Sequence, residues 1–324
     1  MEQNVTKTEI GYRSHDGQTQ IHALLWLPAA GGTIAPRGIV QLVHGMAEHI
    51  DRYDDFARYL VGCGFIVCAN DHLGHGKSVS DKSEWGCLPL EEGAHAVIED
   101  VHELRKLVAA RYSQQTPYFL LGHSMGSFVV RVYLAHHSEG LTGAVISGTS
   151  QQASLISAAG NQLARLIARL RGADYKSPLL DKMGVGAYSK KIVDARTSFD
   201  WLSTDPAVVD AYIADEACGY TFSAGGYATL TSLTGSMVAK ECVSRIPSTL
   251  PILFVSGAED PVGSCGKAVE DAASQLRRAG VLQVEVKLYD GMRHEILNEP
   301  GHARVYDDIA AWLNSQVKEH AGNA

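Results

Sequence analysis

Apolar residues fall along the chain in short continuous runs separated by stretches of helical period. The runs at residues 38–43 (GIVQLV), 65–69 (FIVCA), 118–121 (YFLL), 144–146 (AVI), 252–255 (ILFV) and 284–288 (VEVKL) have the length of strands buried in a parallel sheet. The run at 21–27 (IHALLWL) stops at Pro28 and reads as an earlier strand, and residues 8–12 add another. Between them, residues 54–60 place Phe56, Ala57 and Leu60 on one helical face. Residues 94–108 space Val97, Val101, Leu104 and Val108 by four, three and four. Residues 127–136 are apolar and follow a tight turn, and 305–317 predict a last helix with Val305, Ile309, Trp312 and Val317 inward. Strands alternating with helices predict an α/β fold: a mostly parallel central sheet of about eight strands flanked by helices.

The alternation breaks after Ser150. Roughly a hundred residues separate the runs at 144–146 and 252–255, far more than a crossover needs. The excess predicts a helical cap, residues 151–223, inserted after the sixth strand, with the core made of 1–150 and 224–324. Leu155, Ile156, Ala159, Leu163, Leu166, Ile167 and Leu170 form a helical stripe in this insertion. The stripe is expected to be mainly cap core, with one edge free to meet a substrate.

Composition narrows the partners. The 324 residues are 45% apolar and 20% charged, ordinary values for a soluble globular protein. A net charge of -8 and the lack of any Lys/Arg run argue against nucleic acid. Six cysteines (Cys63, Cys68, Cys87, Cys218, Cys242, Cys265) form no C-x-x-C pair and read as reduced thiols. The first residues lack the pattern of a signal peptide, and no apolar stretch approaches ~18 residues. A cytoplasmic protein with at most peripheral membrane contact through the cap is the expectation.

The chemistry centres on Gly122-His123-Ser124-Met125-Gly126, which follows an apolar strand and opens a helix. This is the context of a G-x-S-x-G nucleophile elbow. The turn is tight enough that residues two positions either side must be small. It also presents the serine hydroxyl beside a helix N-terminus, which favours developing negative charge.

A serine hydroxyl needs a base, and the order in this fold is serine, acid, histidine. His294 follows the last strand across the loop 289–293, whereas His302 sits at a helix start and His320 in the tail. The loop after residues 252–255 offers Asp260, with Glu259 as its rival; Asp260 also reads as a cap for a helix beginning near Pro261. The loop 147–150 after the preceding strand has no carboxylate. Asp260 is preferred. The oxyanion hole would use the backbone N–H of Met125 and that of Met46, where Gly45 lets the chain turn. His44 reads as a packing residue rather than a base.

These stretches together resemble the monoacylglycerol lipase and lysophospholipase-like family of α/β hydrolases. They are His44-Gly45-Met46-Ala47-Glu48-His49, Arg52-Tyr53, Asp71-His72-Leu73-Gly74-His75-Gly76-Lys77-Ser78, Gly122 to Gly126 and His294-Glu295-Ile296-Leu297-Asn298-Glu299. The resemblance covers nearly the whole chain outside the cap. It implies hydrolysis of small acyl esters, lipid-like ones included, with no metal or cofactor, by Ser124, Asp260 and His294. Met46 stands where many members carry a smaller residue, so its side chain would reshape the acyl site. Two other readings compete. A peptidase or amidase would need acids for an α-amine, and Asp205, Asp210, Asp215 and Glu216 are candidates. A non-enzymatic member would usually lack a triad residue, and none is missing.

Overall fold

The computed structural model describes residues 5–29 and 36–323. Eight strands form one sheet: β1 (Val5–Arg13), β2 (Gln20–Pro28), β3 (Gly38–Val43), β4 (Phe65–Asn70), β5 (Tyr118–His123), β6 (Gly143–Ser147), β7 (Ile252–Gly257) and β8 (Val284–Tyr289). Their order is β1-β2-β4-β3-β5-β6-β7-β8. The pairs from β4 to β8 are parallel, and β2 runs antiparallel to both neighbours. Every residue of β3, β4, β5, β6 and β7 is buried, the physical reason these strands read as unbroken apolar runs.

Helices cover both faces. The core helices are α1 (Asp54–Gly62), α2 (Gly93–Ala109), α3 (Met125–Tyr133), α9 (Lys267–Arg278) and α10 (His302–Asn323). The predicted inward residues of α2 are buried. So are Val305, Ile309 and Trp312 of α10, while Val317 is half-buried. Between β6 and β7 lie α4 (Ser154–Arg171), α5 (Pro178–Met183), α6 (Pro206–Ala214), α7 (Ala224–Ser236) and α8 (Lys240–Val243). Side chains of Ser177, Asp205 and Ser223 each accept a backbone N–H at the start of α5, α6 and α7. No helix among the described residues is long and apolar enough to cross a membrane.

The stripe on α4 departs from the expectation that it is cap core. The buried residues of this helix are small: Ser157, Ala164 and Ala168. Ser157 and Thr234 share a hydroxyl hydrogen bond of 2.9 Å, and the Asn161 amide donates to the Ala228 carbonyl at 2.8 Å. The small face thus lets α4 lie close on α7. The large apolar residues flank this seam, and Leu155, Leu166 and Leu170 are 82%, 51% and 72% exposed. Apolar period alone marks a stripe, but steric fit decided which side of it was buried.

Candidate active site

Ser124 stands between β5 and α3 with φ 52° and ψ −119°, a left-handed conformation that a non-glycine residue adopts only under constraint. Its N–H donates to the Ser147 carbonyl at 3.0 Å. The flanking glycines are required by contact. A Cβ at Gly122 would lie 2.4 Å from the Gly126 carbonyl oxygen, and one at Gly126 would lie 2.0 Å from that of Val43. Helix α3 begins at Met125, two residues before the apolar run at 127–136 predicted, so the serine sits directly on a helix N-terminus.

The two later loops meet behind it. Asp260, fully buried after β7, places Oδ2 2.9 Å from His294 Nδ1, on the loop after β8. Asp260 Oδ1 accepts the Val262 N–H at 2.8 Å, and Oδ2 also accepts the Ser256 hydroxyl at 3.2 Å. Helix α9 starts only at Lys267, so Asp260 orders a turn rather than capping a helix at Pro261. Glu259 is exposed and has no part in this pair. Burial alone would lower the His294 pKa, but the Asp260 charge and hydrogen bond, helped by Glu295 and Glu48, raise it above the ordinary histidine value. Among the described residues, His294 Nε2 has no hydrogen-bond partner.

Ser124 and His294 line the same cavity of about 760 Å³. Its wall includes Met46, Met125, Phe128, Ile156, Leu163, Leu180 and Leu230, so it is largely apolar. Among the described residues, the Met46 and Met125 backbone N–H groups have no partner. Met46 itself lines this cavity. One edge of the α4 stripe, Ile156 and Leu163, faces this cavity.

The loop carrying Met46 is held by charge. The Glu48 carboxylate accepts the Gly45 N–H at 2.5 Å and the Tyr53 hydroxyl at 2.9 Å. Arg52 donates to Glu48 at 2.8 Å and grips Glu295 with two bonds of 2.7 Å. Burial would push the Glu295 carboxyl up, but the Arg52 guanidinium holds it below the usual range. The Met46 loop and the His294 loop are thus tied through one largely buried arginine. Glu299 ties the His294 loop to the insertion: it accepts from the Arg293 N–H at 2.7 Å, the Ser203 hydroxyl at 2.8 Å and the Thr204 hydroxyl at 2.6 Å.

The other histidines weighed from the sequence stand apart from the Asp260 pair. His44 is fully buried, its Nδ1 2.8 Å from the Gly45 carbonyl and its Nε2 accepting the His72 N–H at 2.9 Å. Burial, with the neighbouring imidazoles of His72 and His75, keeps its pKa well below ordinary, as expected of a packing residue. His302 and His320 lie outside the cavity wall. The acids considered for an α-amine are also placed elsewhere. Asp205 caps α6, Asp210 pairs with Arg196, Asp215 with His49 and Glu216 with Lys82, and none lines the cavity.

Two contacts had no sequence signal. Trp201, from the insertion, lies with its ring centroid 5.0 Å from that of His294. Gly148, with φ +58°, packs against the His123 and His294 imidazoles. Arg52, Glu295 and Glu299 stood inside the quoted motifs, but their linkage spans up to 243 positions and needs the fold to appear.

An elbow serine at the edge of an eight-stranded, mostly parallel sheet, answered by histidine and carboxylate from the last two strand loops, defines an α/β hydrolase. A family model described as serine aminopeptidase, S33, matches residues 34–301, and the chain belongs to this α/β-hydrolase family. It is similar to the monoacylglycerol lipase of Mycolicibacterium smegmatis, at 30% identity over 289 residues, 87% of this chain and 90% of that one. The human monoglyceride lipase is 26% identical over 321 residues, covering 95% of this chain and 91% of its own. Among solved structures, a highly thermostable carboxyl esterase from Bacillus coagulans in complex with glycerol matches with a TM-score of 0.87. It is 32% identical, over 96% of this chain and 99% of its own.

Proposed function

We propose that this carboxylic ester hydrolase works through a Ser124–His294–Asp260 triad and cleaves monoacylglycerols or similar lipid-like esters. Ser124 Oγ attacks the acyl carbonyl while His294 Nε2 takes its proton. The Met46 and Met125 N–H groups donate to the oxyanion, and Asp260 holds the imidazole and stabilises its cation. As the tetrahedral intermediate collapses, His294 protonates the departing alcohol. Water, activated by the same histidine, then releases the acid from the acyl-enzyme. The observation that carries the reading is His294 itself: Nδ1 is bonded to Asp260, and Nε2 is left without a partner in a cavity wall shared with Ser124.

The lipid part of the reading is supported by the apolar wall and by the names of the relatives. We take residues 151–223 as a cap that selects substrate over a core of 1–150 and 224–324. Leu155, Leu166 and Leu170 give this cap an exposed apolar edge suited to peripheral contact with a lipid surface. Six free thiols fit a reducing, cytoplasmic setting.

A fluorophosphonate probe tests the triad. Labelling is expected in the wild type and absent in Ser124→Ala, and labelling that persists in that variant overturns the assignment. An acyl-chain series tests the substrate: a rate maximum at acetyl esters, falling with length, would sink the lipid reading. The family description also names an aminopeptidase. Matched aminoacyl amides turned over faster than esters would favour that activity instead.

A further inference from the structure

Outside the cavity, three side chains of different chemistry converge where the insertion meets the oxyanion segment. We propose that His49, Asp215 and Cys218 form a binding site for a borderline divalent cation such as Zn²⁺, distinct from the catalytic machinery. One ligand atom from each, an imidazole nitrogen, a carboxylate oxygen and the thiol sulfur, lies within 4.8 Å of the others. His49 Nε2 is 2.7 Å from Asp215 Oδ2.

The local chain presents this set in a fixed arrangement. Asp215 ends α6, and the Cys218 N–H donates to the Asp215 carbonyl at 3.0 Å, closing a turn that sets the two side chains together. Asp215 Oδ1 is occupied by the Ala217 N–H at 2.9 Å, which orients the carboxylate and leaves Oδ2 facing His49. The turn is anchored to the loop before His49, since the Ala47 carbonyl accepts the Gly219 N–H at 3.0 Å and the Tyr212 hydroxyl at 2.9 Å. The Cys218 side is buried, while Asp215 is 39% exposed, so an ion can enter from solvent and shed water on the way in.

Nitrogen, oxygen and sulfur donors in a three-residue set suit Zn²⁺ or Co²⁺, with water in the fourth tetrahedral position, and do not suit Mg²⁺ or Ca²⁺. On binding, the Cys218 S–H bond breaks, its proton goes to solvent and a sulfur–metal bond forms. The ionised thiol and carboxylate then balance the two positive charges. Such an ion would replace the direct His49–Asp215 bond with a tighter clamp between the turn and the segment that carries Met46.

Cobalt titration of the full chain, in oxygen-free buffer without thiol reductant, reads the site directly. One equivalent of Co²⁺ is expected to give a thiolate-to-cobalt charge-transfer band with the visible absorption of a four-coordinate ion, and Zn²⁺ should bleach both. Cys218→Ser should abolish the charge-transfer band, while His49→Ala and Asp215→Asn should weaken cobalt binding by about tenfold or more. The latter two keep every cysteine, so they remain informative if the serine variant does not fold. No charge-transfer band in the wild type, or an undiminished one in all three variants, overturns the proposal. The readout does not involve ester cleavage, so its failure is separate from any failure of the triad.

Discussion

Gly148 lies against the ring of His294: a Cβ at position 148 would stand 3.1 Å from His294 Cε1 and 3.2 Å from Nδ1. The same Cβ would meet His123 Cε1 at 3.1 Å, and φ is +58°. The residue therefore limits the room of the His294 imidazole. In Gly148→Ala, the histidine must shift by several tenths of an ångström or the backbone must rearrange. We expect kcat/KM on a short soluble ester to fall by roughly 10–100-fold, because small misplacements of catalytic groups are costly. Wild-type rates with a folded variant would show that the ring has more room than this contact allows.

Under the proposed triad, the Asp260–His294 pair should set the acid limb of the pH profile. A general base must be neutral, so activity should fall as pH drops through the His294 pKa, which lies above the ordinary histidine value. In Asp260→Asn, burial acts without the compensating charge and the pKa should drop below that value. The acid limb should then move to lower pH while kcat falls on the order of 10³–10⁴-fold. A pH–rate profile of both proteins checks this, and an unmoved limb would assign it to another group.

Stability carries a different pH signature through Asp100. This buried carboxylate accepts the Ser14 hydroxyl and the His15 N–H, each at 2.7 Å, tying the β1–β2 hairpin to α2. Burial raises its pKa to about 6, despite those bonds. A raised carboxyl pKa means the fold prefers the protonated form, so its stabilisation is full below the unfolded value near 3.8 and is lost as pH rises through about 6. The loss amounts to about 3 kcal/mol at most. Asp100→Asn lacks this dependence. Its Tm relative to wild type should therefore rise between pH 4 and pH 8 in thermal melts, and a constant difference would contradict the titration.

The exposed leucines of α4 separate interface from chemistry. Replacing Leu155, Leu166 and Leu170 together by Ser removes apolar surface that is half or more exposed at each position. Stability should change little, on the order of 0.5 kcal/mol per site. Turnover of a dissolved short-chain ester should stay within about twofold, while cosedimentation with phospholipid vesicles and turnover of dispersed monoacylglycerol should both fall severalfold. Equal losses on both substrates would place these leucines in the acyl site instead.

The linear order of residues determined the sheet and the elbow. Strands buried on both faces must be apolar throughout, so β3 to β7 were visible as unbroken runs, and the contacts at Gly122 and Gly126 follow from local sterics that the pentapeptide already encodes. Asp260 and His294 were legible because each sits just past a readable strand. The face that α4 buries was not, since its period fits either side and only the approach of α7 selected the small residues. Tertiary structure alone also brought Trp201 and Gly148 onto His294, and joined Glu48, Arg52 and Glu295 across the site. Periodicity records how a segment meets one neighbour. Contacts among loops hundreds of positions apart leave no period, and they exist only once the sheet order has set the loops side by side.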